Sequence, residues 1–380
     1  MKKTLIALTL AALPVAAMAD VTLYGQIKAG VEVGQTKFKT SEGTQKDHTT
    51  SEIADFGSRI GFKGHEHLAD NLNAIWQLEQ EASVAGNKSG WGTRESFIGL
   101  EGGFGKIRAG KLDSSVKNTS DAIDPWEYSN PALGLGMFTR VDERAVSVRY
   151  DTPVFGGFSA NVQYTPRDNG TTVRGINPTG AIDGPTNPTN GRDDAAGDTS
   201  TYYAGLNYEN AGFFGQYAYG HKHSAYVTKS GESKSGQIHR AVVGYDANNL
   251  LAAVAYQYTN GWDSKDSYMA ALRGGGERTD DEIVRDISVG LKQHEAAATV
   301  GYRFGNVTPR ISYAHGFKAK GDKLTQDQRK ATEYNQVIVG ADYDFSKRTS
   351  ALVSAGWLNA GKGNHKTEAT AGMVGLRHKF

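Results

Sequence analysis

Hydrophobic and polar residues alternate along most of this chain with a period of two, which predicts β-strands rather than helices. The first such segment spans residues 20–33 and places apolar Val21, Leu23 and Ile27 on one face, with polar residues such as Lys28 on the other. None of the alternating segments spaces its apolar residues at three and four positions, as an amphipathic helix would. The alternation returns at residues 158–165, 295–304, 336–345, 351–357 and 372–380.

Short and long connections alternate between these segments. The short ones are rich in turn-forming residues and lie at residues 102–103, 246–249, 305–306 and 346–347. The long ones are polar and lie at residues 34–52, 113–143, 167–199, 221–236, 260–291, 318–332 and 359–366. This spacing predicts about sixteen strands, with roughly seven short turns and eight long loops between them. An even number of strands returns the end of the chain to the side on which it began.

The composition agrees with a β-rich fold and excludes several classes of protein. The 380 residues include 47 Gly and 18 Tyr but only 9 Pro. The formal net charge is +1, so no strong field attracts nucleic acid, and we expect no nucleic-acid partner. The absence of Cys excludes disulfides, thiolate metal sites and cysteine catalysis. Beyond the N-terminus, no apolar run approaches the roughly 18 residues that a membrane-spanning helix requires.

The N-terminus has the pattern of a cleaved signal peptide. A short basic start precedes an apolar stretch at residues 5–15, and the small residues Ala17 and Ala19 then fit the signal-peptidase rule. We expect residues 1–19 to be removed and residues 20–380 to form one β-barrel domain.

Strands with one apolar face can be buried in a soluble core or can face lipid. In lipid every backbone amide needs a partner, so only helices and closed barrels span a membrane. Segments of about ten residues fit a barrel whose outside lies in lipid, with aromatic girdles formed by residues such as Tyr24, Trp76 and Tyr302. A secreted β-sandwich or propeller would have shorter strands and more Leu and Ile. The sequence therefore favours an all-β, antiparallel transmembrane β-barrel in the cell outer membrane.

Several motifs are similar to those of the general porins of Gram-negative bacteria. They are DVTLYG at residues 20–25, GSRIGFKG at 57–64, WGTRESFIGL at 91–100, FGKIRAGK at 104–111, VRYD at 148–151, YRFGN at 302–306 and YDFSKRT at 343–349. The ending GLRHKF at 375–380 resembles the neisserial type in particular. The resemblance covers the mature chain and lapses in the long loops. It implies a sixteen-stranded homotrimeric channel for passive diffusion of ions and small hydrophilic solutes, whose third loop folds inward and narrows each pore.

A barrel of this size leaves an aqueous lumen, so a constriction must provide selectivity. The resemblance places the third long loop, residues 113–143, inside the channel. Its acidic residues form one predicted side of the constriction: Asp113, Asp121, Asp124, Glu127, Asp142 and Glu143.

Basic residues on lumen-facing strand positions form the other predicted side. Alternation with apolar neighbours assigns Lys28, Arg59 and Arg149 to this pore wall, with Arg59 assigned because Phe56 and Phe62 are expected to face outward. The resemblance adds three more, because glycines blur the alternation there: Arg94, Arg108 and Lys111. Opposite charges across a narrow pore would admit ions of either sign, and the basic wall leads us to expect a modest anion preference. The alternative is that these residues are ordinary solvated charges in a wide lumen.

Other candidate chemistry is incomplete. Residues 105–111 have the skeleton of a phosphate-binding loop, but Leu112 stands where Ser or Thr would hold magnesium. The two His-x-His pairs, at residues 65–67 and 221–223, lack a third ligand. No Ser/His/Asp spacing suggests a hydrolase. We therefore expect no enzyme activity, no cofactor and no metal.

The chain end and the long loops suggest assembly and surface roles. Phe380 ends an amphipathic strand, which outer-membrane insertion machinery reads as an assembly signal. Residues 167–199 and 260–291 are long and polar, so an adhesin or receptor with host or antibody contacts is an alternative function. A sugar-specific channel is disfavoured, because most of the aromatic residues that can be assigned point outward toward the outer-membrane lipid.

Overall fold

The structure is a computed structural model that describes residues 20–40, 43–86, 90–126, 128–167, 199–228, 230–272, 289–321, 324–363 and 365–380. The predicted signal peptide, residues 1–19, lies outside these residues. Within them, eighteen strands form one antiparallel sheet. The strands are β1 (Asp20–Thr40), β2 (Gly43–Lys46), β3 (Thr50–Asp55), β4 (Arg59–Ala69), β5 (Leu72–Glu81), β6 (Ser96–Gly102), β7 (Gly105–Asp113), β8 (Arg144–Asp151), β9 (Phe158–Thr165), β10 (Thr201–Asn210), β11 (Phe213–Val227), β12 (Ser233–Ala247), β13 (Leu250–Ser264), β14 (Gly290–Tyr302), β15 (Val307–Gly316), β16 (Tyr334–Asp344), β17 (Thr349–Lys362) and β18 (His365–Lys379).

Helical structure is limited to four short segments in the described residues: α1 (Ser115–Asn118), α2 (Gly136–Thr139), α3 (Lys265–Leu272) and α4 (Gln326–Lys330). Each lies in a connection between strands. None of these described helices has the length and apolar character that crossing a membrane would require.

The sheet closes into a barrel through its first and last strands. β1 pairs with β18 from Gln26 opposite Lys379 to Lys39 opposite Lys366. Along its other edge β1 pairs in turn with β2, β3 and β4, which therefore act as one interrupted strand of the wall. The eighteen assigned segments are thus the sixteen strands of a closed antiparallel barrel, confirming the predicted fold.

The distribution of side chains is inverted relative to a soluble protein. Large apolar residues on the outer surface are exposed, with Leu23 at 52% and Ile98 at 68% of full exposure. Polar residues on the inner surface are buried instead, including Arg240, Gln257 and Glu295, each at 0%. This pattern is stable only when the outer surface lies in lipid, as in a transmembrane barrel.

Several strands run further than the alternation predicts, always at the end that carries the long loops. β1 continues to Thr40, and the connection between β11 and β12 shrinks to residues 228–232. β17 and β18 are joined through residues 363–364 alone. Beyond the apolar band both faces of a strand meet water, so the sequence loses its alternation while the backbone ladder continues. The connections predicted at residues 34–52, 221–236 and 359–366 are therefore shorter in the structure than the sequence predicts.

Candidate functional site

The third long connection, residues 114–143 and hereafter loop 3, lies inside the barrel. It starts with α1, whose first turn is capped by the Ser114 hydroxyl accepting from the backbone N–H of Lys117 at 3.1 Å. Val116 then packs in a buried cluster with Tyr203 on β10, Ile238 on β12 and Trp262 on β13. A capped, apolar first turn thus fixes the start of the loop against the inner wall.

The middle of loop 3 crosses the lumen toward β1. The Trp126 indole N–H donates to the Ser312 hydroxyl on β15 at 2.8 Å. The Trp126 carbonyl accepts from the Lys28 ammonium at 2.7 Å, and that ammonium lies 4.2 Å from the centre of the Tyr128 ring. Lys28 is 3% exposed, so this predicted pore-wall residue holds the loop rather than facing open water.

The loop then runs back along the inner wall of the barrel, from β1 toward β12. The side-chain amide of Gln336 on β16 donates to the carbonyls of Pro131 and Gly134 at 2.8 and 2.6 Å. Gly356 on β17 allows a close approach, because a Cβ placed there would lie 1.8 Å from the Ala132 carbonyl oxygen.

Two buried arginines fasten the returning half of loop 3. Arg140, in the loop itself, pairs with Glu295 on β14 at 2.6 Å and with Asp263 on β13 at 2.8 Å. Arg240 on β12 projects into the loop and pairs with Asp142 at 2.8 Å. Removing one partner from a buried ion pair of this kind is strongly destabilising, because the remaining charge is stranded.

Arg240 makes the most extensive contacts of the two. Its guanidinium donates to the carbonyls of Val116 and Phe138, both at 3.1 Å, and to the side-chain oxygen of Gln257 at 2.7 Å. It therefore joins the first and last turns of loop 3 to one strand. Burial raises the pKa of the Asp142 carboxyl, and the positive charge of Arg240 opposes that rise.

The predicted acidic residues mostly anchor loop 3. Glu143 accepts hydrogen bonds from Lys222 and from the Tyr203 hydroxyl on the adjoining strands. Asp113 ends β7 and pairs with Arg144 at 2.6 Å. Asp124 accepts from the backbone N–H of Leu135 at 3.1 Å and so ties the two halves of the loop together. Asp121 is exposed, and Glu127 lies outside the described residues.

The predicted basic residues fall into three groups. Arg149, like Lys28, is buried, and its guanidinium donates to the Asp113 carbonyl at 3.0 Å. Arg59 lies opposite buried Gln26 and so faces the lumen. Lys111 lies opposite Val146, which is exposed on the outer surface. Lys111 therefore shares the outer face of the barrel and does not line the lumen, unlike the other predicted basic residues.

Arg94 and Arg108 belong to a band of alternating charges on β5 to β8. Arg94 pairs with Glu79 on β5. Arg108 pairs with Asp151 on β8 at 2.8 Å and lies 4.0 Å from Glu95. These side chains are partly exposed and lie on the stretch of wall facing away from the main anchors of loop 3. We call this band, with Arg59, the charged wall.

The sequence reasoning missed Arg140, Arg240 and Glu295, and it misplaced Phe56. Ile238 and Val242 share the inner face of β12 with Arg240, and loop 3 covers them there. The apolar residues of this strand therefore do not identify the side that faces lipid. Phe56 likewise faces inward, 2% exposed and 5.4 Å from the Tyr128 ring, because residues 56–58 break the strand between β3 and β4. In the described part of the chain, no three His, Asp or Glu side chains cluster as metal ligands.

Comparisons with known proteins agree with this architecture. The family model described as Gram-negative porin matches residues 28–380. The chain is 55% identical to the major outer membrane protein P.IB of Neisseria sicca and 49% identical to that of Neisseria meningitidis serogroup B, with full coverage of every chain. Among solved structures, the anion-selective porin from Comamonas acidovorans has a TM-score of 0.66 at 18% identity, covering 95% of this chain and all of its own. A trimer form of OmpT from Vibrio cholerae has a TM-score of 0.58 at 12% identity, covering 95% and 99%.

Proposed function

The chain belongs to the Gram-negative porin family, and from that premise we propose where its channel runs and which residues line the narrowest part. Porins of this family are channels rather than enzymes. The protein is accordingly an outer-membrane channel for passive diffusion of ions and small hydrophilic solutes.

The proposed passage lies between loop 3 and the charged wall. The observation that supports it is the one-sided anchoring of loop 3, whose contacts run to Lys28 on β1, Arg240 on β12, Glu295 on β14 and Gln336 on β16. With the loop fixed along that arc, water and solutes pass on the opposite side. The narrow part would then be bounded by exposed Asp121 on the loop and by the charged wall.

The charged wall would set a weak selectivity. Its arginines interleave with carboxylates, so ions of both signs meet a compensating charge, and the modest anion preference expected from the sequence would come from the arginines. Arg94 and Arg108 are the most informative members, because each pairs with a carboxylate of the wall; Glu79 pairs with Arg94, and Asp151 pairs with Arg108 and also with Arg149 at 2.8 Å.

We expect the double variant R94Q/R108Q to shift the reversal potential in a KCl gradient toward cation selectivity. The variant removes two positive charges and leaves Glu79 and Asp151 without these partners. The measurement is planar-bilayer recording of purified, folded protein. R303Q, which removes an arginine that is 51% exposed at a short turn, serves as the matched control. An unchanged reversal potential in the double variant would exclude these residues from the ion path.

We propose a homotrimer as the working assembly. The support is family membership and the trimer form of the related OmpT structure. In the same recordings, conductance steps arriving in groups of three would agree with this assembly, and isolated single steps from folded protein would contradict it. We likewise propose that residues 1–19 are a cleaved signal peptide, which N-terminal sequencing of the mature protein tests.

Phe380 is the proposed assembly signal, and its position also contributes to closure of the barrel. Its backbone exchanges two hydrogen bonds of 3.1 Å with Gly25 on β1, so it completes the seam between the first and last strands. We expect deletion of Phe380 to reduce the amount of heat-resistant barrel in outer-membrane fractions severalfold. Phe380→Tyr, which keeps an aromatic residue at the end of the strand, is not expected to do so. Normal barrel levels without Phe380 would contradict the proposal.

The host or antibody contacts of the surface loops stay a proposal. The adhesin alternative rests on residues 167–199 and 260–291, and residues 168–198 and 273–288 lie outside the described residues. Loop deletion with retained conductance would separate a surface role from the channel.

A further inference from the structure

The outer surface of β11 to β16 repeats one side-chain arrangement three times. In each case a tyrosine hydroxyl on one strand contacts a polar side chain on the next strand, two positions from the residue directly opposite. The pairs are Tyr217–His239, Tyr256–His294 and Tyr313–Asn335, at 2.7, 2.5 and 2.8 Å. All six positions alternate with buried inner-face residues, so all six face outward.

The two histidines in these pairs are held between aromatic rings. The His239 ring lies 4.9 Å from the Tyr219 ring, and the His294 ring lies 4.7 Å from the Tyr258 ring. The hydroxyl contacts involve Nδ1 of each histidine. Among the described hydrogen bonds, Nε2 of either ring has no protein partner. Each ring is therefore held in place through Nδ1, which leaves Nε2 as the nitrogen that a ligand could contact.

A pair of lysines lies just beyond His294. Lys292 on β14 and Lys320 exchange two backbone hydrogen bonds of 2.7 and 2.8 Å, so their side chains share one face of the sheet. Both are exposed, and Lys320 follows Ala319, which is fully buried on the inner side. Like charges directly opposite each other across strands are destabilising. An anion bound between the two ammonium groups would offset that repulsion.

The position of this patch along the barrel specifies the kind of anion. The opposite, short-turn end of the same strands carries an aromatic belt of Tyr and Phe, such as Tyr302 with Phe304. From Tyr302 to His294 is eight residues, or about 26 Å along the strand. With a barrel-strand tilt of about 40°, the rise across the membrane is about 20 Å at His294 and about 25 Å at Lys292, and the latter equals the apolar band of about 25 Å that a membrane barrel presents. His294 and the lysines therefore lie at the level of the lipid headgroups on the loop side.

We propose that Lys292, Lys320 and His294 form a docking site for the phosphorylated headgroup of a lipid in the outer leaflet. The ammonium groups pair with phosphate oxygens, and the histidine Nε2 donates a further hydrogen bond. The tyrosine rings line the boundary below, and the acyl chains lie along outward Ala296 and Val300. The charge of the lysine pair, the fixed histidines and the depth of the patch all fit this occupant.

The test uses the full folded protein and two defined probes, bisphosphorylated lipid A and the same lipid stripped of its phosphates. Binding is measured by native mass spectrometry over a titration of each lipid. We expect K292Q/K320Q to bind the phosphorylated lipid at least about tenfold more weakly than the wild type. K292R/K320R should retain binding. K234Q/K330Q removes two exposed, loop-side lysines outside the patch and should bind as the wild type does.

Three results would overturn the proposal. They are equal binding of the two lipids, unchanged binding in K292Q/K320Q, and an equal loss in K234Q/K330Q, which would indicate a diffuse charge effect. Inorganic phosphate at millimolar concentration should not displace the lipid, and displacement would reassign the site to free anions. Bilayer conductance of K292Q/K320Q should equal that of the wild type, because both lysines face outward, and this separates the lipid site from the channel itself.

Discussion

Replacing Arg240 with alanine is expected to release loop 3 and to change the channel from steady to noisy, with a higher mean single-channel conductance. The substitution removes a fully buried guanidinium that joins Val116, Phe138 and Asp142 to β12. It also leaves the Asp142 carboxylate buried without its partner, which costs about 3–5 kcal/mol. The backbone hydrogen bonds between the barrel strands are unchanged, so the lost free energy destabilises the docking of loop 3 against the inner wall. Planar-bilayer recording of the purified variant measures the result.

Two variants make this prediction specific. The double variant R240A/D142A removes the stranded charge together with its partner, and we expect its conductance noise to lie between those of R240A and the wild type. R303A removes an exposed arginine that pairs with Asp344 and donates to the Gly305 carbonyl. Its conductance should equal that of the wild type, since exposed ion pairs contribute at most about 1 kcal/mol. Steady, wild-type conductance in R240A would show that loop 3 holds its position without this contact.

Substituting valine for Gly356 is expected to lower the single-channel conductance while leaving the barrel intact. The loop lies so close to β17 here that even a Cβ would overlap the Ala132 carbonyl oxygen. The loop must therefore move away from the wall, into the passage. Forcing a side chain into such a packed contact costs about 1–3 kcal/mol. The measurement is conductance at fixed voltage together with heat resistance of the folded barrel on a gel.

Gly372 offers a matched control on the neighbouring strand. A Cβ there would have its nearest neighbour at 3.7 Å, so G372V adds the same bulk without reaching loop 3. We expect its conductance to equal that of the wild type. An equal fall in both variants would attribute the effect to the strands, and no fall in G356V would show that the loop accommodates the added side chain.

The architecture was predictable because it depends on local pattern. Each strand must present apolar residues to lipid at every second position. The alternation seen at Val21, Leu23 and Ile27 therefore recurs in the other strands of the barrel. The inward direction of Lys28 and Arg149 follows from that parity. The short turn at Asn248 and Asn249 was also readable, and both residues adopt the positive φ that a tight hairpin requires.

The arrangement of the site was not predictable in the same way. Arg240 and Asp142 are 98 residues apart, and nothing local in either segment indicates that they meet. Loop 3 also covers part of the inner wall, so Ile238 and Phe56 are apolar without facing lipid. Acidic residues that a simple two-sided pore would direct into the passage, such as Glu143, serve instead as anchors. The charged residues that line the passage are those that do not form ion pairs with the folded loop, and the local sequence does not show which ones these are.

The seam between β1 and β18 has a consequence for how the protein folds. It pairs residues as far apart in sequence as Gln26 and Lys379, so closure of the barrel depends on a very long-range contact. Bringing such distant segments together carries a large loop-closure entropy and makes folding slow. Until Phe380 reaches Gly25, the edges of both strands expose unpaired amides, which favour aggregation. The chain therefore has to be kept unfolded in transit and closed only at the membrane, so its yield in cells depends on assisted assembly as much as on its final stability.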